Sequence, residues 1–255
     1  MIDANSFFKT IKKHPDRFYL IHYSSERLFD ESTGGFSPRI TSIVVMHYQT
    51  RQIQSYALHV IAERLGIPRE EVSAKYDDIE KELLSSFFDF VRDHRQSYWV
   101  HWNMRSLVYG FEHLEHRFRL LAKTEPPIIP IEVRLNLNDI FKERYGANYA
   151  ADPRLKNLMI LQGELPRQFM EGHEESEAFK AMEFIRMNAS TISKVQFFRH
   201  AIGLALRGKL RTSGNSFVNR IDKLLESRMA RVLALTGTVL GVGGWLVKFG
   251  VSILP

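Results

Sequence analysis

Arg17–Tyr23 reads RFYLIHY and Arg39–Tyr48 reads RITSIVVMHY. Both stretches concentrate β-branched and aromatic residues, which suit a pleated surface packed on its faces. Between them Asp30–Pro38, DESTGGFSP, is rich in turn formers, so the pair predicts consecutive strands joined by a connector. Gln52–Leu58 predicts a third strand and completes a meander. Further on, Ile79, Leu83, Leu84, Phe87, Phe88 and Val91 recur at helical spacing and predict an amphipathic helix over 79–91. Ser97–His101, SYWVH, predicts a short buried strand. Leu107, Phe111, Leu114, Phe118 and Leu121 predict a second helix over 106–121. Glu125–Pro130, EPPIIP, breaks the chain, and the remainder to about Leu210 reads as mostly helical. The expected class is α/β, a mixed sheet with flanking helices.

Composition fits a packed core: 44% of the 255 residues are apolar and 25% charged. There is no cysteine, which excludes disulfides and thiolate metal sites and suits a reducing compartment. The first residues, MIDANSFFKTIKKHPDRF, lack a long apolar core and do not read as a secretory signal. The net charge of +6 is localised. Between Arg199 and Arg231 lie eight basic and two acidic residues, which leaves 27 of each sign elsewhere. Such a cluster just ahead of an apolar tail is what an anionic inner leaflet attracts. Nucleic acid stays open as a second partner for that segment, but not for a generally basic body.

The tail itself is Val232–Leu254, uncharged to Val247 and interrupted by Lys248. A bilayer core of about 30 Å takes roughly 20 apolar residues, and a lysine near a helix end extends its ammonium to the headgroups. The expectation is therefore a single-pass transmembrane helix over 232–254. The body over 1–211 would then lie in the cytoplasm at the inner membrane, with a linker and basic amphipathic juxtamembrane helix over 212–231. A buried core helix is the competing reading of 232–254. Ala234, Gly237, Gly241, Gly244 and Lys248 fall on one helical face and include a GxxxG. Small residues let helices approach closely in lipid, so self-association and a monomeric anchor stand as equal readings.

Ile21–Leu28, IHYSSERL, followed by SPRITSIVV, resembles the first two strands of the DEDD branch of ribonuclease H-like 3′–5′ exonucleases. Val100–Leu121, VHWNMRSLVYGFEHLEHRFRLL, resembles the strand and helix that carry that family's second motif, with His101 and Asn103 as its His-Asn pair. The resemblance covers roughly residues 17–121. It implies a ribonuclease H-like mixed sheet, and a chemistry in which about four carboxylates hold two metal ions. His22 stands where the family has its first Asp and Ser24 where it has Glu; no Asp follows Asn103 at the family's distance. A hydroxyl and a neutral imidazole do not hold a magnesium pair. The resemblance thus implies a non-catalytic derivative with no cofactor. If its register shifts, Glu26, Asp30 and Glu31 are the substitute acids, and Mg or Mn belongs only to that active-exonuclease alternative.

His113-Leu-Glu-His116 reads as a polar helix face. Arg117 and Arg119 either reach a ligand phosphate or pair with Glu112 and Glu115. The acidic run Glu171–Glu177 reads as dipole compensation ahead of a helix over 178–187. Tyr98, Trp99 and Trp102 read as core, with base stacking as the alternative. The leading expectation is a tail-anchored binding or sensing module for a nucleic acid, nucleotide or protein. In layout it resembles bacterial anti-phage defence effectors that damage the inner membrane. A membrane-bound exonuclease and a membrane scaffold are the alternatives.

Overall fold

A computed structural model describes residues 2–26, 37–106, 109–163 and 165–215. Asp30, Glu31, most of the juxtamembrane segment and the whole of 232–254, with Ala234, Gly237, Gly241, Gly244 and Lys248, lie outside the described residues.

Five strands form one mixed sheet: β1 (Phe18–Ser25), β2 (Ile40–His47), β3 (Ile53–Ala57), β4 (Tyr98–His101) and β5 (Arg134–Asn136), in the order β3-β2-β1-β4-β5. β1, β2 and β3 pair antiparallel, while β4 runs parallel to β1 and β5 parallel to β4. The helices are α1 (Ala4–Lys13), α2 (Leu58–Arg64), α3 (Tyr76–His94), α4 (Phe111–Ala122), α5 (Leu137–Tyr145), α6 (Arg154–Gln162), α7 (Gly172–Lys180) and α8 (Phe184–Leu206).

Side-chain alternation along the strands divides the core in two. Phe18, Leu20, Val44, Met46 and Val100 pack with α1, α5 and the C-terminal half of α8. Ile21, Tyr23, Ile43, Val45 and Trp99 pack with α2, α3 and α4 on the opposite face. Both faces are covered, which is why β1 and β2 are nearly continuous runs of buried residues rather than alternating ones. Trp99 is a fully buried core residue, its indole N–H donating to His94 O at 3.2 Å.

The three meander strands, the 79–91 helix and the fourth strand stand within a few residues of expectation. The second helix starts at Phe111, not Ser106. The 178–187 helix does not exist as such. α7 ends at Lys180, Met182 takes a left-handed φ of 54°, and α8 begins at Phe184. α1, α2 and β5 were not anticipated.

On the α3/α4 face a buried ion pair ties β2 to two helices. Arg117 donates to both carboxylate oxygens of Glu80 at 2.8 and 2.5 Å, and Ile40 N donates to Glu80 Oε1 at 3.0 Å. His113 is buried here rather than on a polar face, with Nε2 2.9 Å from Pro38 O. Its helix turns this side inward because Phe111, His113, Leu114 and Arg117 share the face that meets β1 and α3.

Candidate functional site

The carboxyl ends of adjacent parallel strands are where open α/β sheets leave room for ligands. A cavity of about 1390 Å³ opens there, between the ends of β1 and β4 and the helices α7 and α8. Even-numbered residues of β1 face α8, and this parity decides which groups reach it. His22 lines the cavity; Ser24 lies behind it, completely buried.

Ser24 Oγ is 2.6 Å from Thr191 Oγ1 on α8, and Ser42 Oγ is 3.3 Å from the same atom. Thr191 donates its own proton to Met187 O at 3.0 Å, so the two serines donate to Thr191. The hydroxyl at position 24 is thereby consumed by the helix–sheet seam.

His22 sits edge-on to Phe198, ring centroids 5.7 Å apart. The Tyr109 hydroxyl lies 3.1 Å from its Nδ1 and also donates to Tyr23 O at 3.1 Å, so the imidazole is the donor towards Tyr109. Burial first, then the charge of Lys194, holds the imidazole well below its usual pKa. It is a neutral group at pH 7. Tyr109 is fixed from behind. It stacks on Tyr23 at 4.4 Å, and Gly110 N donates to the Tyr23 hydroxyl at 2.9 Å. A Cβ on Gly110 would come within 2.5 Å of Ser106 O, which requires glycine for this approach.

Deeper along α8, Lys194 lines the cavity at 4% exposure and donates to Glu175 Oε1 of α7 at 2.5 Å. Glu175 is 1% exposed, and its second oxygen has no hydrogen-bond partner among the described residues. The Lys194 ammonium also stands 5.3 Å from the Phe169 ring centroid. Glu171 and Glu174 form a capping box at the start of α7, which accounts for that part of the acidic run. Glu175 has a different role from its neighbours: it is the buried counter-charge of Lys194.

Asn103 lines the cavity with a left-handed φ of 55°. Its side-chain oxygen accepts from Asn138 at 2.9 Å and Asn136 at 3.2 Å, and its backbone N–H donates to Asn136 Oδ1 at 3.0 Å. This amide cluster shapes the loop after β4. His101 belongs to the opposite face of the sheet, edge-on to Phe111, its Nδ1 accepting from Met104 N at 3.1 Å. Burial, then Arg134 and Arg105, lowers its pKa to about 3. Arg117 is spent on Glu80, and Arg119 pairs with Glu125 at 2.6 Å and Glu115 at 3.7 Å. Of the residues singled out from sequence, then, His22, Asn103 and Glu26 line one cavity, while His101, Arg117 and Arg119 do not. Glu112 and Glu115 bind Arg134, at 2.6 and 2.9 Å, rather than Arg117.

Among the described residues, the groups that the end of β1 turns towards α8 are a neutral imidazole and an engaged hydroxyl, neither of which is a ligand for a hard divalent ion, and a buried lysine lies on α8. Among the described residues no three His, Asp or Glu side chains come together as a metal group.

No protein-family model matches the chain, and no curated protein matches it. Sequence reasoning missed the Lys194–Glu175 pair, whose members lie 19 residues apart on two helices. No local periodicity brings them together; only the packing of α7 on α8 does.

Proposed function

We propose that the described domain is a ribonuclease H-like module that binds a ligand without cutting it, held at the cytoplasmic face of a membrane by residues 232–254. The fold reading is supported by strand order and direction: an antiparallel meander continued through its first strand into two parallel strands, with a final long helix across β1 and β2. The cavity at the carboxyl ends of β1 and β4 supports the placement of the binding site.

The observation that carries the non-catalytic reading is the buried Lys194–Glu175 pair beside His22 and Ser24. Two-metal hydrolysis needs converging negative charge to hold the ions that activate water and stabilise the leaving oxygen. Here the deepest charged group lining the cavity is a lysine, with its buried carboxylate partner behind it, and the lining carboxylates Asp152, Glu171 and Glu177 each stand beside a lysine or arginine. The membrane part rests on the sequence: an apolar stretch of sufficient length behind a basic segment. With a self-associating helix, ligand capture in the cytoplasm would be read out in the bilayer, the layout of a defence effector.

The test is hydrolysis. Full-length protein in detergent, given 3′-labelled DNA or RNA with Mg²⁺ or Mn²⁺, is expected to release no mononucleotide. Metal-dependent shortening that disappears in Glu26→Ala overturns the proposal in favour of an active exonuclease.

A further inference from the structure

The cavity has a chemical character that the proposed function does not specify. Among the described residues, five Lys and Arg side chains line it, with four Asp and Glu. The rim cations are already engaged: Lys156 with Glu171 at 2.7 Å, Lys180 with Glu177 at 2.9 Å, Arg154 with Asp152 at 3.6 Å, and Arg39 with Asp77 at 3.7 Å. The fifth, Lys194, has Glu175 behind it. Nucleic-acid grooves work in the opposite way, with unpaired cations that neutralise phosphates and release counterions. A phosphate entering here would meet cations whose charge is already shared with a carboxylate beside them.

The walls are different in kind. Tyr109, Phe169 and Phe179 line the cavity and are only half-buried, so part of each ring is presented to it. Below them, Lys194 has three N–H bonds and a single hydrogen-bond acceptor among the described residues, Glu175 Oε1. A buried ammonium with two donors in hand costs free energy until something accepts from it.

Resting on the reading of this cavity as a binding site, we infer that its ligand is an uncharged, planar heterocycle of nucleoside size whose edge carbonyl accepts from Lys194 Nζ while its ring packs against Phe169. The rim disfavours phosphate-rich strands, the walls favour a π-face, and the buried lysine asks for an acceptor that carries no full charge, since Glu175 supplies one already. At about 1390 Å³ the cavity exceeds one nucleoside and leaves room for a substituent beyond the ring that reaches Lys194.

Isothermal titration of the full chain in detergent with EDTA tests this, using uridine and guanosine, their 5′-monophosphates and a ten-residue oligothymidylate. One nucleoside is expected to bind, its monophosphate less tightly, and the oligomer with no strong salt dependence. Lys194→Met is expected to weaken nucleoside binding about tenfold or more, the lower end for a hydrogen bond to a charged group. Should that variant unfold, Phe169→Ala decides: several-fold weaker binding with unchanged melting supports the inference, and unchanged binding overturns it. Tighter binding of monophosphate or oligomer than of nucleoside, or no heat from any nucleoside at millimolar concentration, also overturns it. EDTA separates the two proposals. Metal-dependent hydrolysis in the other assay removes the non-catalytic reading and leaves nucleoside binding standing, and the reverse result removes the ligand class alone.

Discussion

Replacing Lys194 with methionine keeps the hydrocarbon stem against Phe169 and removes the ammonium. Glu175 then stays at 1% exposure with Ser190 Oγ, 3.4 Å away, as its remaining hydrogen-bond partner among the described residues. Breaking a buried ion pair from one side costs about 3–5 kcal/mol, because the other charge is left without a partner. The serine hydrogen bond is present in the wild type as well and offsets none of this. For a chain of this size each kcal/mol moves the melting temperature by about 2–4 °C, so Lys194→Met is expected to melt roughly 6–20 °C below wild type. Lys194→Met with Glu175→Gln has no buried charge left, and an apolar or neutral replacement of such a pair is often close to neutral, so most of the loss returns. Circular-dichroism melts of the four proteins at one pH and salt concentration give the coupling directly. A single variant within 2 °C of wild type, or a double variant that melts at the sum of the two losses, refutes the claim that this pair is desolvated and interdependent.

The Glu80–Arg117 pair predicts a pH effect of defined sign. Burial raises the Glu80 pKa, against the opposing effect of Arg117. A carboxyl raised in the folded state stabilises it at low pH and loses that contribution as pH climbs through the folded value. Arg117→Met removes the opposition, so its destabilisation, about 3–5 kcal/mol near pH 7, should shrink on acidification towards pH 5; a deficit that is constant with pH contradicts this. The buried imidazoles act in the other direction. His22 and His101 are held neutral, His101 down to about pH 3, so wild-type stability should fall as pH drops below 6.5 and protons favour the unfolded chain. His101→Gln is expected to flatten that acid limb in an urea-unfolding series, and an unchanged slope excludes the assignment. For the tail, the full chain is expected to stay in the membrane pellet after alkaline carbonate washing. Gly241→Leu should leave it there while lowering cross-linked oligomer, whereas recovery of wild type in the supernatant removes the span.

The strands were legible because β1 and β2 are dense in β-branched and aromatic residues, and burial on both sheet faces makes such runs obligatory. α1 carried its own signal too: Ala4, Phe7, Phe8 and Ile11 have helical spacing, and Asp3 caps the helix by accepting from Ser6 N. β5 offered none, being three residues, Arg134–Asn136, that lead directly into α5. It exists because β4 presents an open parallel edge, a tertiary cause. The break at Met182 is similar: nothing in Ala178–Met187 stops a helix, yet Ala178, Phe184 and Met187 must all reach the α3/α4 face, and a kinked path achieves this. At the site, the sequence drew attention to His22, Ser24 and Asn103. Their surroundings were not legible, since the seam of Ser24, Ser42 and Thr191 and the pair of Lys194 and Glu175 join residues that lie far apart along the chain. Likewise His113 and His116 look alike in sequence, and only the orientation of α4 buries one and leaves the other exposed.

Manganese binding to the full-length protein, followed by the loss of free Mn²⁺ signal in an electron paramagnetic resonance titration, tests the absence of a metal pair without relying on any substrate. With a neutral imidazole and a buried lysine in its lining, and an engaged hydroxyl and that lysine's carboxylate behind them, the cavity should leave added Mn²⁺ free at micromolar concentrations. Saturable uptake of about two ions per chain, lost in Glu26→Ala, would mean that converging carboxylates exist and that the domain is built to cut.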